Sequence, residues 1–195
     1  MTSRERILDG AARAFGRLGY ARTRVEDVLN AADVSRPTFY KEFSSADDVF
    51  ETLARLHFRE LSKRLVDALE STGDPSGKLF AIVDAYFRWR SELGPLGRVL
   101  DVEARQPRSA LARIRRPVTE RLVEAFREQI VALGRPAPDP LLLGALISAA
   151  EHLGDTLPSD RAPTAREMTR RRIAMLRLAA GVLMPLEPER KRRRR

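Results

Sequence analysis

The sequence predicts an all-α protein, an N-terminal three-helix helix-turn-helix head followed by a larger helical body, with about nine helices in all. Three observations carry that reading. Apolar residues recur at three- and four-residue spacing over long stretches, caps and Pro or Gly residues cut those stretches at helical lengths, and no stretch sustains the apolar–polar alternation of a strand. A chain of 195 residues, 43% hydrophobic and 32% charged, can bury a proper core and is not a disordered sequence.

The first helix opens at the capping box Thr2-x-x-Glu5, buries Ile7, Leu8, Ala11, Ala12, Phe15 and Leu18 along one stripe, and stops at Gly19. Thr23-x-x-Glu26 reads as a second capping box that opens a short helix through Val25, Val28 and Leu29 to Ala32. Ala32, Asp33 and Val34 form a turn, Ser35 is the next N-cap, and Arg36 to Phe43 is a short helix with Pro37 in its first turn. Ser45 with Asp48 caps a long helix from Ala46 to about Ser71. Further helices are expected over 76–92, 98–105 after a Gly94-Pro95-Leu96-Gly97 break, 109–133 with an interruption near Pro117, 140–156 and 164–184.

The formal charge of +9 is unevenly spread. Residues 1–50 hold eight basic and eight acidic side chains, whereas Arg190-Lys191-Arg192-Arg193-Arg194-Arg195 supplies six positive charges by itself. Residues 190–195 therefore read as a disordered, solvated tail that attracts phosphates without reading sequence. The absence of Cys, with only His57 and His152 as histidines, excludes disulfide scaffolds, thiolate metal sites and cysteine nucleophiles, and no cofactor is expected. His57 reads as a packing residue. The N-terminus lacks the order of a secretory signal, and no apolar run approaches the roughly 18 residues of a membrane span, so a cytoplasmic protein without a membrane partner is expected.

Two short helices joined by a three-residue turn have the size of a helix-turn-helix, whose second helix enters the DNA major groove. Arg36 could hold a guanine edge, Thr38 a thymine methyl or a phosphate, and Tyr40, Lys41, Arg22 and Arg24 the backbone on either side. At these positions the chain resembles the tetracycline-repressor (TetR) family of bacterial transcriptional regulators. The resemblance rests on Phe15, Gly19, Tyr20 and Thr23, on the turn Ala32-Asp33-Val34-Ser35, and on Pro37-Thr38-Phe39-Tyr40-Lys41-Glu42-Phe43. It implies DNA contacts from Arg22, Thr23, Arg24, Ser35, Arg36, Pro37, Thr38, Tyr40 and Lys41. Four positions depart from the family pattern: Asp33, Pro37, Glu42 and Ala46. The last two replace residues that in the family contact phosphate, which implies modest affinity for DNA.

The resemblance further implies residues 1–47 as the DNA-binding head and 48–189 as a body that binds a ligand and dimerises. Candidate pocket residues are Phe80, Val83, Tyr86, Phe87 and Trp89, then Val99, Leu100 and Glu103, then Phe126 and Ile130, with Glu151 and His152 as titratable groups on a nearly uncharged helix. Candidate dimer residues are Leu142, Ala145, Leu146, Ala149 and Leu153 together with Thr169, Ile173, Leu176, Ala180 and Leu183. The implied partners are a palindromic double-stranded operator, a small apolar or amphipathic effector and a second copy of the chain. A different class, a sequence-indifferent nucleic-acid-binding accessory protein working through the Arg-rich tail, is the alternative. An enzyme is not expected. Ser148, Glu151 and His152 share one helix and cannot converge on a substrate as nucleophile, base and orienter.

Overall fold

The computed structural model describes residues 1–71, 74–132, 134–158 and 160–183. Among them it is all-helical: α1 Ser3–Leu18, a 3-10 turn Tyr20–Arg22, α2 Val25–Ala32, α3 Arg36–Glu42, α4 Ala46–Glu70, α5 Pro75–Glu92, α6 Gly94–Arg105, α7 Ala110–Ala132, α8 Pro140–Asp155 and α9 Ala165–Leu183. The first three form the head, and α4 runs from it into the body. The predicted tail 190–195 lies outside the described residues.

Caps set most boundaries. The Thr2 hydroxyl accepts the Glu5 N–H at 3.2 Å while Glu5 accepts the Thr2 N–H at 2.7 Å. Ser35 and Ser45 accept from the N–H groups of Thr38 and Asp48, as their spacing predicts. The second box is displaced by one residue. Thr23 donates its hydroxyl to the Gly19 carbonyl at 2.7 Å, so the helix starts at Val25, with Asp27 accepting the Arg24 N–H at 2.8 Å. Glu26, thus released, pairs with Arg36. The turn between α2 and α3 places Asp33 at φ 51°, a left-handed conformation that Asp tolerates better than most residues.

Two breaks differ from expectation. Gly94, at φ 53°, reverses the chain alone, and Pro95 fits the first turn of α6, so that helix begins four residues before the predicted Arg98. The helix α7 continues through Pro117. Pro117 and Arg113 both lie on the exposed side, where water can take the carbonyl that the missing N–H leaves free.

The helices enclose two apolar cores. One gathers Ile7, Phe15, Phe39, Phe43, Phe50 and Phe58 of α1, α3 and α4 with Leu96, Leu100 and Ala104 of α6. The other joins Leu65, Phe87, Leu122, Leu143, Met168 and Met175 in the body. One face of α6 thus belongs to the core of the head, and α1 packs directly on it, with Gly16 close against Pro95 and Leu96.

Candidate nucleic-acid interface and body cavity

The helix α3 is short because its sequence lets only one side be buried. Phe39 is fully buried and anchors it, while Arg36, Pro37, Lys41 and Tyr40, the last half exposed, face solvent. The Ser35 hydroxyl holds the first turn and lies 2.8 Å from that of Thr38. Arg36 is paired with Glu26 across the turn, and the hydrogen bond from Arg36 holds the Glu26 carboxyl below its usual range. That exposed pair contributes little stability, so Arg36 can exchange Glu26 for a nucleic-acid acceptor at small cost. Arg22 and Arg24 are exposed at the start of α2, with Arg22 Nε donating to the Leu18 carbonyl at 2.9 Å.

Thr23 stands apart from the other predicted contacts. It is 8% exposed and its hydroxyl is committed to Gly19, so it shapes the loop and does not face outward. Arg4 donates to the backbone carbonyl of Glu42 at 3.1 Å, lies 3.9 Å from its carboxylate and covers the Phe43 ring at 4.3 Å.

The body holds a partly open cavity of about 470 Å³, walled by α4, α5, α7, α8 and α9, with Asp101 of α6 also lining it. Of the residues the sequence suggested, Val83, Tyr86, Trp89, Phe126, Ile130 and Glu151 line it. Phe80 points to solvent at 54% exposure, and Phe87, on the same helix, is packed in the core. Both fall off the stripe Leu79, Ile82, Val83, Tyr86 and Trp89 that faces the cavity. Leu100 and Val99 belong to the core of the head, His152 is exposed, and Glu103 borders a separate cleft with Tyr20 and Phe50. The wall that sequence reasoning missed comes from α4 and α7: Phe58, Leu61, Leu65, Arg115, Val118 and Leu122. Their periodicity marks a buried stripe, yet nothing in it separates a cavity wall from a filled core.

Asp101, Arg115 and Glu151 make part of the cavity wall polar, and further charged groups lie behind them. Arg90 Nε lies 3.1 Å from Asp101 and Arg90 Nη2 lies 3.5 Å from Asp155, which also pairs with Arg105, while Arg115 holds Glu151. Gly97 permits this: a Cβ there would stand 2.5 Å from Arg90 Nη1. Burial pushes the Asp101 carboxyl up to about 6 against the pull of Arg90, and burial likewise raises Glu151 against Arg115. Three guanidinium groups thus face three carboxylates. Beside them Tyr86 Oη and Trp89 Nε1 are buried with no hydrogen-bond partner, each at a cost of about 1–3 kcal/mol. Burial, first, and the nearby carboxylates hold the Tyr86 hydroxyl well above its ordinary value, so it stays protonated.

On the outside of the body, Leu142, Ala145, Thr169 and Ile173 are exposed, as a docking face requires, joined by Leu141 at 81% and Leu178 at 48%. Leu146 turns inward and lines the cavity, as do Ala180 and Leu183. Ala149, Leu153 and Leu176 pack partly against the body core. The predicted seam therefore covers both faces of α8 and α9, and only part of it looks outward.

A helix-turn-helix head with an exposed second helix is set on a helical body that holds a cavity. The sequence pattern described as bacterial regulatory proteins, tetR family, matches residues 7–53. An HTH-type transcriptional regulator of Bacillus subtilis, YdgC, is 28% identical over 120 residues, 57% of this chain and 61% of that protein. The HTH-type transcriptional activator FasR of Mycolicibacterium smegmatis is 30% identical over 84 residues, 43% of this chain and 38% of that protein. The matches thus span less than two thirds of either relative. The crystallised fatty acid degradation regulator FadR from Bacillus halodurans superposes with a TM-score of 0.78 over 96% of this chain and 97% of that one, at 18% identity. The likeness to the TetR family is thus one of sequence in the head, residues 7–53, while the whole chain shares the fold of FadR. Among the described residues no helix is long and apolar enough to cross a membrane.

Proposed function

We propose that the chain is a homodimeric transcriptional repressor whose head, residues 1–47, binds a palindromic operator and whose body, residues 48–189, releases it when a small apolar or amphipathic effector fills the cavity. The observation that carries the regulatory half is that cavity, about 470 Å³ of space beneath a head whose own core is filled. Arg36, Thr38, Tyr40 and Lys41 read the groove and its phosphates, with Ser35 and Pro37 fixing the helix that carries them and Arg22 and Arg24 gripping the flanking backbone. The exposed apolar residues of α8 and α9 supply the two-fold interface.

An effector acts only if it favours one spacing of the two heads. The coupling elements in this reading are α4 and α6. Phe58 of α4 belongs to the core of the head and also lines the cavity. Likewise α6 puts Asp101 at the cavity and Leu100, next in sequence, into the head. FadR, the structural neighbour, is described as a regulator of fatty acid degradation, which makes long-chain apolar compounds the first effectors to try.

The test is selection of duplexes from random sequence, with binding of selected and scrambled duplexes followed across a salt series for wild type and a Thr38→Ala/Tyr40→Ala variant. Enrichment of a palindrome that the variant no longer prefers supports the reading. Equal and steeply salt-dependent binding of every duplex by both proteins overturns it.

A further inference from the structure

A carboxylate stands among the arginines of the head. Glu26, in the first turn of α2, holds Arg36, at the start of α3, through Oε1 and Nη2, and each side chain is more than half exposed. Arg24 adds to the positive field at the same carboxyl, so Glu26 lies between two arginines to which the operator reading gives DNA contacts. Glu26 has no duty in capping its own helix. The Thr23 hydroxyl goes to Gly19, α2 begins at Val25, and Asp27 accepts the Arg24 N–H. Nor does the pair hold the fold together, since exposed ion pairs contribute little stability.

What the pair does beside DNA follows from charge. In the free protein Arg36 leaves Glu26 at small cost. A duplex carries one phosphate charge for about every 1.7 Å of its axis, and an Arg36 that moves to a phosphate abandons the Glu26 carboxylate among like charges. An Arg36 that keeps Glu26 forms a neutral pair, and its contact with a phosphate releases no net counterion. It still has donors to give, because the carboxylate holds Nη2 and a guanidinium also donates from Nε and Nη1. Guanine presents O6 and N7 as uncharged acceptors in the major groove, and one guanidinium can meet both. Pairing with Glu26 therefore weakens Arg36 as a phosphate ligand more than as a guanine ligand.

Resting on the reading of the head as an operator-binding unit, we propose that Glu26 sets sequence specificity by positioning Arg36: its carboxylate withholds the guanidinium from phosphates and reserves it for a guanine edge. Arg36 then reads one G·C pair in each half-site, and Glu26 acts only through it.

The test compares wild type, Glu26→Gln, Arg36→Ala and the double variant for binding to the selected duplex and to a scrambled one across a salt series. Glu26→Gln is expected to keep the unfolding midpoint and to bind the scrambled duplex more tightly, with a salt slope steeper by about one unit per head. The ratio of selected to scrambled affinity is expected to fall at least about fivefold. In the Arg36→Ala background the same substitution is expected to leave that ratio unmoved. Single replacement of guanines in the selected duplex by 7-deazaguanine, which lacks the N7 acceptor, is expected to weaken wild type at one position per half-site and to have no effect there on Arg36→Ala. A ratio that stays or rises in Glu26→Gln overturns the proposal, while an enriched palindrome leaves the operator reading standing. A ratio that falls equally with and without Arg36 overturns the route through Arg36. Tolerance of 7-deazaguanine at every position overturns the guanine assignment. Recovery of no preferred duplex by the wild type removes the operator reading itself.

Discussion

Phe15, Phe39, Phe43 and Phe50 fill the core beneath the helix-turn-helix, with ring centroids of Phe15 and Phe50 only 4.6 Å apart, while the core of the body surrounds about 470 Å³ of space and buries a cluster of ion pairs. The two regions are built from the same kind of amphipathic helix. The head spends its large side chains on contact with one another, which fixes the position of α3. The body arranges its large side chains around a space, so part of its apolar surface lacks the packing that a filled core supplies. A region packed in this way is stiff and intolerant of change, whereas one that is hollow leaves room for a ligand to alter its packing.

The sharpest way to break this contrast is truncation in the head. Phe15→Ala, at a fully buried site in contact with Tyr20 and Phe50, is expected to cost about 3–5 kcal/mol, measured by urea unfolding. Enlargement tests the other half. Leu146→Phe should project into the cavity and change stability by less than about 1 kcal/mol, since the added volume meets space and not neighbours, while apolar dye binding falls at least tenfold. An unfolding loss as large as that of Phe15→Ala would mean that the body is as tightly filled as the head.

The buried ions give a pH dependence that belongs to the body. Asp101 is held up to about 6 in the folded protein against an ordinary value of 3.8, so the folded state binds this proton more tightly than the unfolded one. Its contribution therefore favours folding at low pH and is lost as pH rises through the window from about 4 to about 6. Arg90→Met removes the counter-charge and is expected to destabilise by about 3 kcal/mol at pH 8, and by visibly less at pH 5, where Asp101 can take up a proton. A destabilisation equal at both pH values would show that the guanidinium acts through packing and not through charge. The smallest expected effect lies on the surface: Lys41→Ala should leave stability within about 0.5 kcal/mol and reduce the slope of log affinity for DNA against log salt by about one unit.

Helix ends in the head were legible because caps are local. Thr2, Ser35 and Ser45 each meet an N–H three residues on, whatever the rest of the chain does. Where the same pattern competed with another local bond it misled: Thr23 had the spacing of a cap but its hydroxyl found the Gly19 carbonyl first. The outward residues of α3 were legible for a related reason. A seven-residue helix anchored by Phe39 and Phe43 must expose its remaining side chains.

The cavity was legible only in part. A helical period identifies which residues share a stripe, and Val83, Tyr86 and Trp89 were found in that way. It does not say which neighbour the stripe meets, so Phe80, Phe87 and Leu100 joined a wall they do not form. Likewise the seam along α8 and α9 mixed Leu142 and Ile173, which face outward, with Leu146, which faces the cavity.

By itself the sequence determined the all-helical class, the capped starts of α1, α3 and α4, the helix-turn-helix and its outward residues, because each follows from contacts within a few residues or from a stripe that must be buried somewhere. Only the tertiary structure decided that α6 is shared between head and cavity, that Arg90 finds Asp101 and Asp155 through the space Gly97 leaves, and that Trp89 and Tyr86 border a hollow. These depend on how far apart the helix axes settle, a distance fixed by all the side chains between them together and therefore written in no single segment.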